Sequence, residues 1–134
     1  MTFPRSSHGS TYGGNPLATA VGAAVLEEVT SDGFLDNVGR LAGRLKQKLA
    51  GLVDAHPDIL EAARGEGLMM GLKCKVPNMD LVNAGYEQEI LTVPAGDNVV
   101  RVLPPLNVTE AEIDEAVRRL DAACAALEPA LEQA

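Results

Sequence analysis

The chain reads as an α+β domain, a small antiparallel sheet of three or four strands with helices packed on one side. Three observations predict it. Apolar residues recur at helical spacing near both ends, and short runs with β character lie between them, broken by Gly and Pro clusters. The 134 residues make one domain's worth of chain, long enough to bury roughly two-thirds of the surface that the unfolded form exposes. Helices and a sheet that each carry one apolar face resolve into two layers around a single core.

Residues 1–14 read as a flexible glycine-rich arm and residues 15–134 as the domain. From Pro16 to about Thr30, Leu17, Ala20, Val21, Ala24, Val25 and Leu26 mark a helix. Asn15 suits its N-cap and Pro16 its first position, where a missing N–H loses nothing. Its small side chains suit packing on more than one face. Ser31-Asp32-Gly33 breaks it, and Phe34, Leu35, Val38, Leu41, Leu45, Leu49 and Leu52 mark a second helix ending near Val53, with Arg40, Arg44, Lys46 and Lys48 on a solvated side. His56-Pro57 reads as a stop, and the histidine as a turn residue.

Ile59 to Ala63 and Gly67 to Lys75 read as strands joined by Arg64-Gly65-Glu66-Gly67, with Leu68, Met70, Leu72 and Cys74 on one face. Pro77-Asn78 opens a shorter helix through about Gln88, burying Leu81, Val82 and Tyr86. Ile90 to Val93 and Asn98 to Leu103 pair as a hairpin around Pro94-Ala95-Gly96-Asp97. Arg101 then faces opposite to Val100 and Val102, which requires an anionic partner if it is buried and an exposed face if it is not. Thr109-Glu110-Ala111-Glu112 is a capping box, and Ile113, Ala116, Val117, Leu120, Cys124 and Leu127 trace one stripe of the last helix.

Composition removes several classes of function. The formal charge of −8 and the absence of Trp argue against nucleic acid and anionic membrane as partners. Two cysteines and two histidines, all far apart, argue against a disulfide framework or a metal site. No long apolar segment or leader pattern occurs, and the chain reads as cytoplasmic.

The stretch His8-Gly9-Ser10-Thr11-Tyr12-Gly13-Gly14-Asn15-Pro16-Leu17-Ala18 is a glycine-rich loop running into a helix N-terminus. Spacing alone leaves two readings open, a plain lead into a capped helix or an anion site with Ser10 and Thr11 as further contacts. The string closely resembles the signature with which class-III, pyridoxal-phosphate-dependent aminotransferases enter their C-terminal part, above all the acetylornithine and ornithine branch. Arg64-Gly65-Glu66-Gly67-Leu68-Met69-Met70-Gly71 and the run from Leu91 to Leu106, with Asp97-Asn98-Val99-Val100-Arg101 at its centre, match in the family's order. Relatives generally carry Gly where this chain has Glu89.

The resemblance implies the small C-terminal domain of a fold-type I aminotransferase. It implies that Ser10 and Thr11 reach the phosphate of pyridoxal phosphate across a dimer interface, and that Arg101 binds a substrate carboxylate. The reaction implied is amino transfer from N-acetylornithine or a similar ω-amine to 2-oxoglutarate, in arginine biosynthesis. The family's Schiff-base lysine, ring-nitrogen acid and main phosphate loop lie upstream of the first motif, and none of Lys46, Lys48, Lys73 and Lys75 is a substitute. No catalytic or metal-ligating residue is therefore assigned. The chain alone is expected to be inactive and not to bind the cofactor stably, and its first helix is expected to meet protein outside the chain. Expected partners are a second copy or a separate N-terminal aminotransferase polypeptide, and a small carboxylate. The competing reading is a stand-alone, non-catalytic module that binds a small molecule or itself.

Overall fold

A computed structural model describes residues 9–131 of the chain, which divides into two compact units, one reaching to Leu35 and one running from Asp36 onward. His8, the first residue of the glycine-rich motif, lies outside the described residues. In the first unit, a turn leads into helix α1 (Pro16–Val29). Asn15 keeps an extended backbone and its side-chain oxygen accepts from the N–H of Ala18 at 2.9 Å, the N-cap that its position predicts. Thr30 and Ser31 turn their hydroxyls back onto the carbonyls of Leu26 and Glu28, each at 2.7 Å, and Gly33 leaves the helix at φ +80°. No residue of α1 is buried, and Leu17, Val21, Val25 and Leu26 are all exposed.

The second unit holds nearly all of helix α2 (Phe34–Ala55), strands β1 (Leu60–Glu66) and β2 (Met69–Cys74), helix α3 (Asn78–Glu87), strands β3 (Val93–Ala95) and β4 (Val99–Val102), and helix α4 (Glu110–Leu131). The sheet is antiparallel throughout, in the order β1-β2-β4-β3. Its core face carries Met70, Leu72, Cys74, Val100 and Val102, packed with Leu41, Leu45 and Leu49 of α2, Leu81 and Val82 of α3, and Ile113, Leu120 and Cys124 of α4. The α+β architecture and the helical stripes are those predicted.

Boundaries shift where local composition misleads. Arg64-Gly65-Glu66 belongs to β1 and pairs with β2, so the reversal is made further on, at Gly67 and Leu68. Pro94 and Ala95 lie in β3 and leave Gly96-Asp97-Asn98 as the turn; β3 is an edge strand, where a missing N–H is tolerated. Tyr86 is half exposed, not buried. Glu89 adopts φ +56°, the conformation a glycine would take without strain, and Arg119 of α4 holds it there by donating to the carbonyls of Gln88 and Glu89.

Polar ties join these elements. Arg40, Arg44 and Lys48, expected on a solvated face, pair with Glu110 and Asp114 across the groove between α2 and α4. The Asn98 amide donates to the carbonyls of Cys74 and Val76 and accepts from the N–H of Asn78, while the Asn78 side chain donates to the carbonyls of Ala95 and Val99. His56 is 7% exposed, with Nδ1 at 2.6 Å from Glu128 and Nε2 at 2.8 Å from Asp121. Only an imidazolium donates from both nitrogens. Burial opposes that charge, yet the carboxylates of Glu128 and Asp121 outweigh it and hold the pKa above the ordinary value.

Two outcomes follow for stability. A histidine whose pKa is raised by folding contributes fully below its unfolded pKa of about 6.5, and the contribution is lost as pH rises through the folded value. Thermal melts are therefore expected to fall as pH rises above about 6.5, with a shallower fall in His56→Gln; equal slopes would show that His56 does not carry the dependence. Asn98→Ala deletes three hydrogen bonds and places a Cβ-bearing residue without side-chain support at φ +52°. It should lower unfolding free energy by about 2–4 kcal/mol in urea titrations.

Candidate functional site

Strand alternation decides which way each arginine points. Val100 and Val102 are in the core, so Arg101 stands on the opposite, open face, and it is exposed. Cross-strand register puts Arg64 of β1, Gly71 of β2, Arg101 of β4 and Val93 of β3 in one row. Residues directly opposite one another share a face, so the two arginines flank a position with no side chain. A cleft of about 200 Å³ lies there, lined by both arginines, Met69, Gly71, Gly96 and Val99. A Cβ on Gly71 would meet Cγ1 of Val99 at 2.7 Å, so only glycine leaves Val99 its place.

The hairpin turn closes one end of this face. Asp97 accepts from Nη2 of Arg64 at 2.6 Å and from Nζ of Lys73 at 2.7 Å. The hydrogen bonds from Lys73 and then Arg64 bring its pKa down to about 2, so it is a carboxylate at any physiological pH. Arg101, by contrast, forms no side-chain hydrogen bond or ion pair among the described residues. The open alternative read from its spacing is thus the observed one.

Ser10 and Thr11 lie in the first unit, on the turn before α1, and both are exposed. The Ser10 hydroxyl oxygen accepts from the N–H of Tyr12 at 3.3 Å, which leaves its own O–H to donate. The carbonyl and side chain of Asn15 already serve the N–H groups of Thr19 and Ala18. Among the described residues no cluster of potential metal ligands occurs, and no helix is long and apolar enough to cross a membrane. Cys74 and Cys124 are buried free thiols, pushed up by burial to about 11 and about 12, and carry no nucleophile.

Sequence reading missed Arg64 and Asp97 as parts of this site. Arg64 sits in a segment with the composition of a turn, and its facing could be read only from the register of β1 on β2. Asp97 is joined to Arg64 and Lys73 across the sheet, at sequence separations of 33 and 24 residues.

A helix-backed antiparallel sheet thus carries on its open face an arginine without a partner among the described residues, and a glycine-rich helix lead precedes it in sequence. Residues 1–124 match the class-III aminotransferase family, and the chain belongs to it. It is similar to acetylornithine aminotransferase of Rhodobacter capsulatus, 62% identical over 122 residues that make 91% of this chain and 31% of that protein. It is 56% identical to acetylornithine aminotransferase 1 of Bradyrhizobium diazoefficiens, over 90% of the chain and 30% of the relative. Among solved structures, the N-acetylornithine aminotransferase of Stenotrophomonas maltophilia superposes with a TM-score of 0.78 at 34% identity, over 88% of this chain and 33% of that one. The ornithine δ-aminotransferase of Plasmodium falciparum gives 0.80 at 27% identity, over 95% and 34%. The chain thus spans less than a third of the length of the curated relatives it matches.

The row across the sheet makes one test simple. Gly71→Ala must displace Val99 into the cleft or shift β4, and should destabilise the chain by about 1–3 kcal/mol. Chemical denaturation reads the loss, and an unchanged midpoint would show that Val99 gives way freely.

Proposed function

We propose that this chain is the C-terminal portion of a pyridoxal-phosphate-dependent aminotransferase of the acetylornithine type, supplying a carboxylate anchor and a hydroxyl contact to the cofactor phosphate. Arg101 carries the reading: it is exposed, without a partner among the described residues, and aimed from a fixed hairpin over a cleft. A guanidinium grips a carboxylate with two parallel hydrogen bonds, which fixes the orientation of the bound acid as well as its place.

Ser10 and Thr11 fit a phosphate as neutral donors. Both hydroxyls lie on the turn before a helix N-terminus, and no Lys or Arg occurs from Gly9 to Thr30. They therefore act as secondary contacts, with charge neutralisation supplied elsewhere. Bound pyridoxal phosphate supplies the electron sink that amino transfer requires. The residues of this chain bind and orient: Arg101 holds the acid, and Ser10 and Thr11 steady the phosphate end. The exposed Leu17, Val21 and Val25 of α1 are a surface for the remaining body of the enzyme, as a second polypeptide or a second copy.

The test is reconstitution. The chain alone, given pyridoxal phosphate, N-acetylornithine and 2-oxoglutarate, should form glutamate no faster than cofactor alone. Co-expression with the preceding region of the Rhodobacter capsulatus relative should raise the rate, and Arg101→Gln should then lower kcat/KM by about 10- to 100-fold. Turnover by the chain alone, or an Arg101→Gln variant as active as its parent, would overturn the reading.

A further inference from the structure

Two buried side-chain polar atoms lack a hydrogen-bond partner among the described residues, Nε of Arg44 and Oγ1 of Thr92. The Arg44 guanidinium is compensated through its other nitrogens, which meet Glu110 and Asp114. Thr92 has no such compensation. It is 8% exposed and stands just before β3, between Leu91 and Val93, whose side chains are turned outward. A hydroxyl withdrawn from water without a new partner is destabilising, and a ligand that offers it an acceptor recovers the loss.

Thr92 lines a cavity of about 150 Å³ in the second unit, whose inner wall is Leu45 of α2, Val102 of β4 and Ile113 of α4, all of them buried. An apolar cavity of that size takes one six-membered ring. Rotation about χ1 exchanges the hydroxyl of Thr92 with its methyl, so the donor reaches the cavity by one change of rotamer. Charge excludes one class of ligand. Glu112 is the one ionisable side chain among the described residues that line the cavity, and the N–H and then the hydroxyl of Thr109 hold its pKa below the ordinary carboxylate value. An anion entering beside Glu112 meets a like charge with no free cation in the wall to offset it.

We infer that this cavity is a binding site for a small uncharged molecule with a ring-sized apolar body and one hydrogen-bonding oxygen. The body packs against Leu45, Val102 and Ile113, and the oxygen meets the hydroxyl of Thr92. Neither contact depends on the proposed function. Val102 and Arg101 point to opposite sides of β4, so a molecule bound here presses on the strand that presents Arg101 from its core side.

Phenol, toluene and benzoate share a ring and differ at one substituent, and they serve as probes of the 134-residue chain, with methyl NMR of Val102 and Ile113 as the readout. Phenol and toluene are expected to shift these methyls in a saturable way, and benzoate to leave them unmoved. Thr92→Val keeps the shape of the side chain and replaces its hydroxyl by a methyl. It should weaken phenol by about three- to tenfold, the size of one hydrogen bond, and leave toluene within about twofold. Without ligand the same substitution should hold or raise the thermal midpoint, since it removes an unpartnered group. Ala116→Leu, which extends a side chain from α4 into the cavity, should abolish both shifts in a chain that still melts cooperatively.

Methyl groups unmoved by phenol and toluene alike, a phenol affinity untouched by Thr92→Val, or benzoate bound as tightly as phenol would each overturn the inference. So would a thermal midpoint lowered by Thr92→Val in the absence of ligand, because the hydroxyl would then have a partner in the free chain.

Discussion

Everything on the open face depends on where the β3–β4 hairpin is held, and the side chains of Asn78 and Asn98 hold it. Between them they make five hydrogen bonds to backbone groups, from the end of β2 through Val76 to the first residue of α3, and on β3 and β4. Side-chain period in a strand is two, so a slip of one residue on β2 would send Arg101 into the core and Val100 out to water. Burial of Val100 and Val102 penalises that slip, and the asparagine network closes the turn in the single register that the core accepts.

The helical layer is secured differently. Leucines of α2 and the stripe of α4 provide the apolar contact, but both helices are long and their shared border is polar. Arg40, Arg44 and Lys48 meet Glu110 and Asp114 along it, and His56 closes it beyond the end of α2 by gripping Asp121 and Glu128. The exposed pairs of Arg40, Arg44 and Lys48 contribute only about 0–1 kcal/mol each. Their value lies in rotation: a helix turned about its axis would leave the carboxylates of α4 without their cationic partners. Arg119 extends the same logic to α3, whose end at Glu89 lacks the glycine that would ordinarily shape it.

The fold was largely legible because period alone distinguishes its elements. Leu41, Leu45, Leu49 and Leu52 repeat at helical spacing, and Leu68, Met70, Leu72 and Cys74 alternate; all eight are buried. Boundaries were less legible wherever residues with turn composition sit in strands. Arg64-Gly65-Glu66 and Pro94-Ala95 are extended because pairing with β2 and β4 outweighs their local preference. The candidate site was legible only in part. Ser10, Thr11 and Arg101 came with the motifs, whereas Arg64 and Asp97 acquire meaning only through register and a contact across the sheet. His56 is the same case in the helical layer, since nothing near it in sequence points to two carboxylates on α4.

An exposed arginine is a poor anchor by itself. In water a guanidinium and a carboxylate gain little, because each gives up hydration of similar strength. Excluding solvent makes the same pair far stronger, provided that both groups keep their hydrogen bonds. The open face supplies the cation and the shape of the cleft but none of the cover. Under the proposed function, the cover over Arg101 comes from the remaining body of the enzyme, and the site that binds is completed only when that body is in place. Affinity for a carboxylate then becomes a measure of assembly: weak on the chain by itself, and stronger as soon as water is shut out over Arg101.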